Sequence, residues 1–307
     1  MAVTQRSTKI NEVIVYNTAI IFSRVMCLIS AEAIDIHQVW EYELSPVVPS
    51  LFKEYGEGRY PKNKSDLKNA LKHEISKCCA ETPSLTVIDG CALLWVTHWP
   101  SGGTVSDFAS LFLKKVLVYL QISDVALIFD RYYDYSTKSC TRQARLGSIT
   151  ARHTLALSSP LPPQNTVLNS TRNKVQLIEI LTEYLLSHID SQKKFTLTGS
   201  KDSPHELCQQ KRQVCDGLRN TREEADVIIP QQVFGVLGRN DHCIKVVSDD
   251  TDVLVNLCHF YHHLNSEKIV YMEATEDEYK LIDIGLTCSS HSMIIGHVFK
   301  RAHFIRM

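Results

Sequence analysis

The sequence lacks a surplus of charge of either sign. Its 307 residues include 33 lysines and arginines against 34 aspartates and glutamates, a formal net charge of −1. Nucleic-acid-binding domains usually carry a basic surplus, so this balance argues against a protein that binds nucleic acid over its whole surface. The composition, 44% hydrophobic and 22% charged, also excludes a disordered, collagen-like or coiled-coil chain.

Several common catalytic and binding motifs are missing as well. The chain has no P-loop, no G-x-G-x-x-G and no G-x-S-x-G, which argues against an ATPase, a dinucleotide-binding protein and an α/β-hydrolase. It has no C-x-x-C pair, and its ten cysteines predict reduced thiols in an intracellular protein, nuclear or cytoplasmic. The histidines at 259, 262 and 263 lack a second ligand pair, which disfavours a structural zinc site.

Targeting and membrane segments are also absent from the pattern. The apolar stretch Thr18–Ala31 is shorter than the ~20 residues that span a bilayer, and Arg24 interrupts it. It predicts a buried helix. The first residues lack the basic, apolar and small-residue order of a cleaved signal, so we expect neither a signal peptide nor a membrane partner.

From residue 85 onward, short β-branched runs alternate with helical patterns. LTVID, VALIFD and CIKVV are three such runs, and each is followed by an apolar or helical segment. This alternation predicts an α/β fold of three layers, with a mostly parallel central sheet flanked by helices. We predict that residues 1–84 form a mainly helical region packed on the core, with a helix over Ser65–Ala80. Residues 85–307 are predicted to form the main domain.

Acidic residues stand out in four patches, VIDG, IFDRY, REEAD and SDDTD, of which REEAD lies at a predicted helix start and the others follow apolar runs. The candidate metal ligands are Asp89, Asp130, Glu224, Asp226, Asp250 and Asp252. Any one of them alone is better explained as a helix cap. Together, at the carboxyl ends of parallel strands, such carboxylates would repel one another unless a cation compensates. Mg²⁺ and Mn²⁺ prefer oxygen ligands, and two such ions can promote phosphodiester cleavage.

A one-sided basic segment follows Asp130. Seven basic residues and one acid lie between positions 131 and 174, and four of the basic residues share one face of the helix predicted over Ser136–His153. These four are Lys138, Arg142, Arg145 and Arg152. A solvated surface is the usual meaning of helical charges, but such a surface normally mixes signs. A basic face beside an acidic cluster suits a phosphate backbone.

The order VIDG, IFD with a basic helix, EEAD and VVSDDTDVLV resembles the PIN-like nuclease superfamily, especially its flap endonuclease and XPG-like branch. EEAD and SDDTDVLV, in that order, are the most specific part, and the resemblance covers residues 85–285. The whole chain, including YNTAIIFSR and LLWVTHWP, also looks like a group of animal PIN-like proteins.

The resemblance implies specific roles for these residues. The six acids would hold two Mg²⁺ or Mn²⁺ ions, and Lys138 and Arg145 would act in catalysis by holding the phosphate. Arg142 and Arg152 would extend the contact with DNA or RNA.

The chain departs from the family pattern in two places. The family has a further aspartate in a Gly-rich segment and then a DNA-binding hairpin of helices, whereas no acid follows Asp283 here, so we expect a shortened C-terminus. Arg131 also stands where the family's V-F-D-G motif has glycine. These departures leave open the alternative of a catalytically inactive PIN-like scaffold that binds nucleic acid or a protein.

Overall fold

Two compact units make up the chain, residues 1–63 and 64–307. The computed structural model describes residues 7–10, 13–16, 18–31, 33–35, 37, 63, 65–132, 152–199, 204–219, 222–235, 238, 240–275 and 279–291. The division between the units precedes the boundary at 84 that the change of sequence pattern predicts. The reason is that residues 65–84 add a helix and an edge strand to the second unit.

The first unit contains a hairpin as well as a helix. Strands β1 (Ser7–Ile10) and β2 (Val13–Tyr16) pair antiparallel, and helix α1 (Thr18–Ser30) follows them. The sequence predicts that this helix is buried, but in the structure its residue Phe22 is 49% exposed. Among the helices that the structure describes, none is both long and apolar enough to cross a membrane.

A nine-stranded sheet forms the centre of the second unit, in the order β3-β11-β10-β9-β4-β5-β6-β7-β8. Its strands are β3 (Glu74–Ser76), β4 (Leu85–Asp89), β5 (Asp124–Ile128), β6 (Phe195–Thr198), β7 (His205–Cys208), β8 (Lys211–Val214), β9 (Cys243–Val247), β10 (Ile269–Glu273) and β11 (Lys280–Asp283). The five central strands, from β10 to β6, run parallel. Antiparallel pairs extend both edges, so the sheet is mixed rather than mostly parallel as predicted.

Eight helices of the second unit lie within the described residues. They are α2 (Ser65–Leu71), α3 (Gly90–Val96), α4 (Val105–Leu120), α5 (Gln164–Leu168), α6 (Thr171–His188), α7 (Ala225–Phe234), α8 (Thr251–His263) and α9 (Ile284–Ser290). Short 3₁₀ turns cover Lys77–Cys79 and Asp216–Leu218.

Alternate residues of the central strands contribute side chains to two hydrophobic cores, one on each face of the sheet. Ile88 and Leu127 pack with residues of α3, α4 and α6. Val87 and Ile128 pack with residues of α7, α8 and α9. Because both faces are covered, all five residues of β4 are buried, which is usual for parallel strands. The result is the three-layer α/β arrangement expected from the alternation of strands and helices.

The strand order reverses between β4 and β9. The chain passes from β4 to β5 and β6 on one side, and later places β9 and β10 on the other side of β4. In open α/β sheets, ligands bind in the crevice outside the carboxyl ends of the strands at such a reversal. The topology therefore singles out one edge of the sheet, between β4 and β9, before any side chain is considered.

The helix predicted over Ser65–Ala80 is wrong beyond Leu71. Residues Glu74–Ser76 instead form an edge strand that pairs antiparallel with Lys280–Ile282 of β11. Ile75 packs there against a small core cluster that includes Tyr271 and Leu281. Pairing with a distant strand thus outweighs the local helical spacing of apolar residues.

Gly90 provides a test of the packing beneath the carboxyl edge. A Cβ atom at this position would lie 2.6 Å from two ring atoms of the fully buried Phe129. We expect Gly90→Ala to lower the free energy of unfolding by about 1–3 kcal/mol, since the core has no room to adjust. At Gly285, the added Cβ would lie 2.9 Å from the hydroxyl oxygen at the end of the half-buried Tyr261 side chain, so Gly285→Ala should cost less. Equal losses in urea denaturation would contradict this packing.

Candidate functional site

Three of the predicted acids lie at the carboxyl edge of three adjacent parallel strands. Asp89 ends β4, Asp130 follows β5 by two residues, and Asp250 follows β9 by three. The strands stand next to one another in the order β9-β4-β5. Asp89 therefore lies between the other two, at the reversal of strand order where the topology predicts a ligand site.

Asp89 is held by three hydrogen bonds. Its Oδ1 accepts from the backbone N–H groups of Cys91 at 2.9 Å and Ala92 at 3.0 Å, which caps α3. Its Oδ2 accepts from the hydroxyl of Ser248 at 3.1 Å. Asp89 is only 7% exposed and Ser248 is fully buried. This side chain therefore fixes the end of β4 to the segment that leaves β9.

Asp130 joins two patches that are far apart in sequence. Its Oδ1 accepts from the backbone N–H of Ala225, the first residue of α7, at 2.9 Å. Its Oδ2 accepts from the hydroxyl of Tyr132 at 3.4 Å. The structure thus brings the EEAD segment to the end of β5. Glu224 precedes α7 and Asp226 lies in its first turn, and both are half-buried.

The SDDTD segment turns directly into α8. Asp250 is exposed and caps this helix, because its Oδ1 accepts from the backbone N–H of Asp252 at 2.9 Å. Its own backbone N–H donates to the Ser248 hydroxyl at 3.2 Å. Ser248 therefore connects Asp89 to Asp250. Sequence reasoning missed this residue, although it is the serine of the SDDTD patch.

Asp249, the remaining acid of that patch, points to a different partner. Its side chain accepts hydrogen bonds from the backbone and hydroxyl of Thr275, which follows β10. Its carbonyl oxygen accepts from Lys68 Nζ of α2 at 3.1 Å. Burial lowers the pKa of Lys68, although the charge of Asp249 acts in the opposite direction. Lys68 is thus a basic group at the acidic edge that sequence reasoning also missed.

Among the acids of this edge, Asp89 has the least favourable electrostatic environment for a negative charge. Burial, and to a lesser extent the charge of Asp130, raise its pKa from the ordinary 3.8, while the amide of Ala92 and the hydroxyl of Ser248 act against the shift. The net result is a pKa of about 6. Asp89 and Asp130 are therefore close enough to repel one another. A cation or a proton between two such carboxylates relieves both burial and repulsion.

The predicted basic helix falls mostly outside the described residues, and Lys138, Arg142 and Arg145 lie in that part of the chain. Arg152 is described and exposed, but it lies in no helix, so the predicted helix does not reach Arg152 and His153. Arg131, which replaces the family's glycine, is fully buried, and its backbone N–H donates to the carbonyl of Glu223 at 2.7 Å. This residue thus helps to dock the REEAD patch at the end of β5.

The predicted metal cluster is not assembled as a set of six ligands. In the described part of the chain, no three His, Cys, Asp or Glu side chains stand together as a group able to hold a metal ion. The chemistry of the Asp89 and Asp130 pair nevertheless suits Mg²⁺, which keeps several waters and uses one or two carboxylates together with substrate phosphates. These two carboxylates could supply part of such a ligand set, and the remaining ligands would have to be waters or phosphate oxygens.

No protein-family model, curated protein or solved structure matches this chain. Carboxylates at the acidic edge can bind a divalent cation, and they can also act only as helix caps.

Asp89 makes the stability of the fold depend on pH. Because its folded pKa is raised, its contribution is fully present below about pH 4 and is lost as the pH rises through about 6. The shift corresponds to about 3 kcal/mol. We expect Asp89→Asn, whose side-chain oxygen can still cap α3, to gain ~2–3 kcal/mol over wild type between pH 4.5 and 7.5 in urea denaturation.

Asp107 is the matched control for this measurement. The backbone and hydroxyl of Thr104 lower the pKa of this exposed carboxylate, so its contribution is present above its ordinary pKa and is lost as the pH falls. The Asp107→Asn variant should therefore be less stable than wild type, by an amount that stays nearly constant between pH 4.5 and 7.5. A constant difference between Asp89→Asn and wild type across this pH range would show that Asp89 is not strained.

Proposed function

We propose that this protein is a PIN-like nuclease of the flap endonuclease and XPG-like kind, which hydrolyses phosphodiester bonds of DNA or RNA with Mg²⁺ or Mn²⁺. The supporting observation is that Asp89, Asp130 and Asp250 follow three adjacent parallel strands at the reversal of strand order. Acidic groups at this edge of an α/β sheet are positioned to face a bound ligand.

In this proposal, Asp89 and Asp130 hold the first ion. Glu224, Asp226, Asp250 and Asp252 are the further carboxylates from which a second ion would draw its ligands. When bound, the ions would act as Lewis acids that activate a water and stabilise the leaving oxygen. Ser248 orients Asp89 and Tyr132 orients Asp130 through the hydrogen bonds described above.

Lys138 and Arg145 keep their proposed role as phosphate-binding residues that stabilise the developing charge. Arg142 and Arg152 are the proposed extension of that contact along the nucleic acid. The exposure of Arg152 is consistent with such a role.

An intracellular setting, nuclear or cytoplasmic, is part of the same proposal. The nine cysteines within the described residues are all free thiols. Free thiols in this number are typical of a reducing compartment.

A catalytically inactive scaffold is the second candidate, and the caps favour it. Asp89 and Asp250 each accept hydrogen bonds from the first turn of the helix that follows them. Such bonds give an aspartate at the end of a strand a structural role that needs no ligand. In this case the same edge would bind nucleic acid or a protein without cleavage.

The deciding experiment is cleavage of single-stranded, flap and RNA substrates in Mn²⁺ by wild type, Asp130→Asn and Asp250→Asn. Asparagine caps a helix as well as aspartate, so Asp250→Asn removes charge while the cap remains. We expect each variant to lose activity by on the order of a hundredfold or more, since transition-state stabilisation by the ion is lost. Asp283→Asn, which alters a similar cap of α9 on an antiparallel strand, should keep full activity.

Two outcomes would contradict the nuclease. Cleavage that survives Asp130→Asn and Asp250→Asn would show that a contaminating enzyme or another site is responsible. Absence of cleavage by wild type, together with no heat of Mn²⁺ binding at millimolar metal in calorimetry, would favour the scaffold.

A further inference from the structure

We propose that Lys68 and Lys174 form a phosphate clamp that flanks the acidic edge and holds the backbone of a nucleic-acid strand across Asp89. The proposal rests on the proposed nuclease function and adds to it the two cations that position the substrate. Lys68 stands at the end of β9 and Lys174 at the end of β5, with β4 between these strands.

Lys174 lies in the first turn of α6, beside Asp130. Its Nζ is 5.4 Å from the centroid of the Tyr132 ring, and the Tyr132 hydroxyl donates to Asp130 Oδ2. The charges of Lys174, Asp130 and Asp89 all act on the thiol of Cys91, whose pKa burial raises to about 12. The ammonium group is therefore within electrostatic range of the acidic pair.

Lys68 reaches the same edge from α2. Its Nζ donates to the carbonyl oxygen of Asp249 at 3.1 Å and is attracted by the carboxylates of Asp249 and Asp250. An ammonium group has three donors, and within the described residues this bond uses one of them. The contact with the main chain holds the head group in place and leaves donors for a phosphate oxygen.

The partners of the two lysines differ from those of five other lysines of the same unit. Lys72, Lys77, Lys194, Lys245 and Lys280 each form an ion pair with a glutamate. Over the ranges that the structure describes, Lys68 and Lys174 form no ion pair, although aspartates lie near both. Their ammonium charges are therefore not neutralised by direct contact with a carboxylate.

The acids and the clamp act on the substrate in opposite directions. The carboxylates of the edge repel a phosphate. Without a bound cation, this repulsion offsets much of the attraction between the phosphate and the two lysines. A divalent cation at Asp89 and Asp130 would remove this repulsion and leave the two ammonium groups as the dominant charges. The clamp therefore predicts that a divalent cation and the nucleic acid strengthen each other's binding.

The test is fluorescence anisotropy of a fluorescein-labelled single-stranded oligodeoxynucleotide, in Ca²⁺ and in chelator, with full-length protein. We expect Lys68→Gln and Lys174→Gln each to raise Kd roughly three- to tenfold at low salt, and to reduce the slope of log Kd against log salt by about 0.7. Lys114→Gln, at an exposed position of α4, is the matched control and should leave both unchanged. Lys174→Arg should restore the slope, because it keeps the charge.

Several results would overturn the clamp. The clamp is wrong if the variants at positions 68 and 174 bind the oligonucleotide as Lys114→Gln does, with an unchanged salt slope. It is also wrong if the wild-type protein binds no oligonucleotide. Circular dichroism and urea denaturation identify a variant that fails to fold, and the arginine variant then provides the comparison. The nuclease proposal fails separately, if Asp130→Asn cleaves as wild type does while the lysine variants still lose binding.

Discussion

The hydrogen bond between Ser248 and Asp89 is the contact on which the candidate site depends. It joins the end of β4 to the segment after β9. Among the parallel strands that the structure describes, β4 and β9 are the neighbours at which the strand order reverses. The same carboxylate caps α3, and the same serine receives the backbone N–H of Asp250. Two helices and two strands are thus aligned by one buried pair of side chains.

The parts of this arrangement that follow from local pattern could be predicted from the sequence. Apolar runs that end in an acid mark strand ends, and the alternation of strands with helices brings such ends to one edge. The contact between IFD and EEAD agrees with this reasoning, since Asp130 accepts from the first N–H of α7. The metal-binding role of these acids stays a prediction.

The β7–β8 edge of the sheet could not be predicted, because its residues lack the usual signals. All four residues of β8 are exposed, so the strand has no alternation of apolar and polar positions. Its hairpin with β7 turns at Gln209 and Gln210, both with positive φ, where a sequence pattern would require Asn or Gly. The position of Lys68 was equally hidden, because it depends on a contact with the main chain of Asp249 that no local pattern encodes.

Capping does not by itself explain why position 89 carries a charge. Asparagine and serine cap helices as well as aspartate does, and the helix dipole adds only about 0.3–1 kcal/mol in favour of a carboxylate. Against this gain, burial and the nearby Asp130 raise the pKa of Asp89 to about 6, a penalty of about 3 kcal/mol when the group is ionised. The penalty exceeds the benefit, so an aspartate used only as a cap would destabilise the protein at neutral pH. In the proposed nuclease, a divalent cation would reverse this balance, because the two carboxylates that repel each other would both attract the ion.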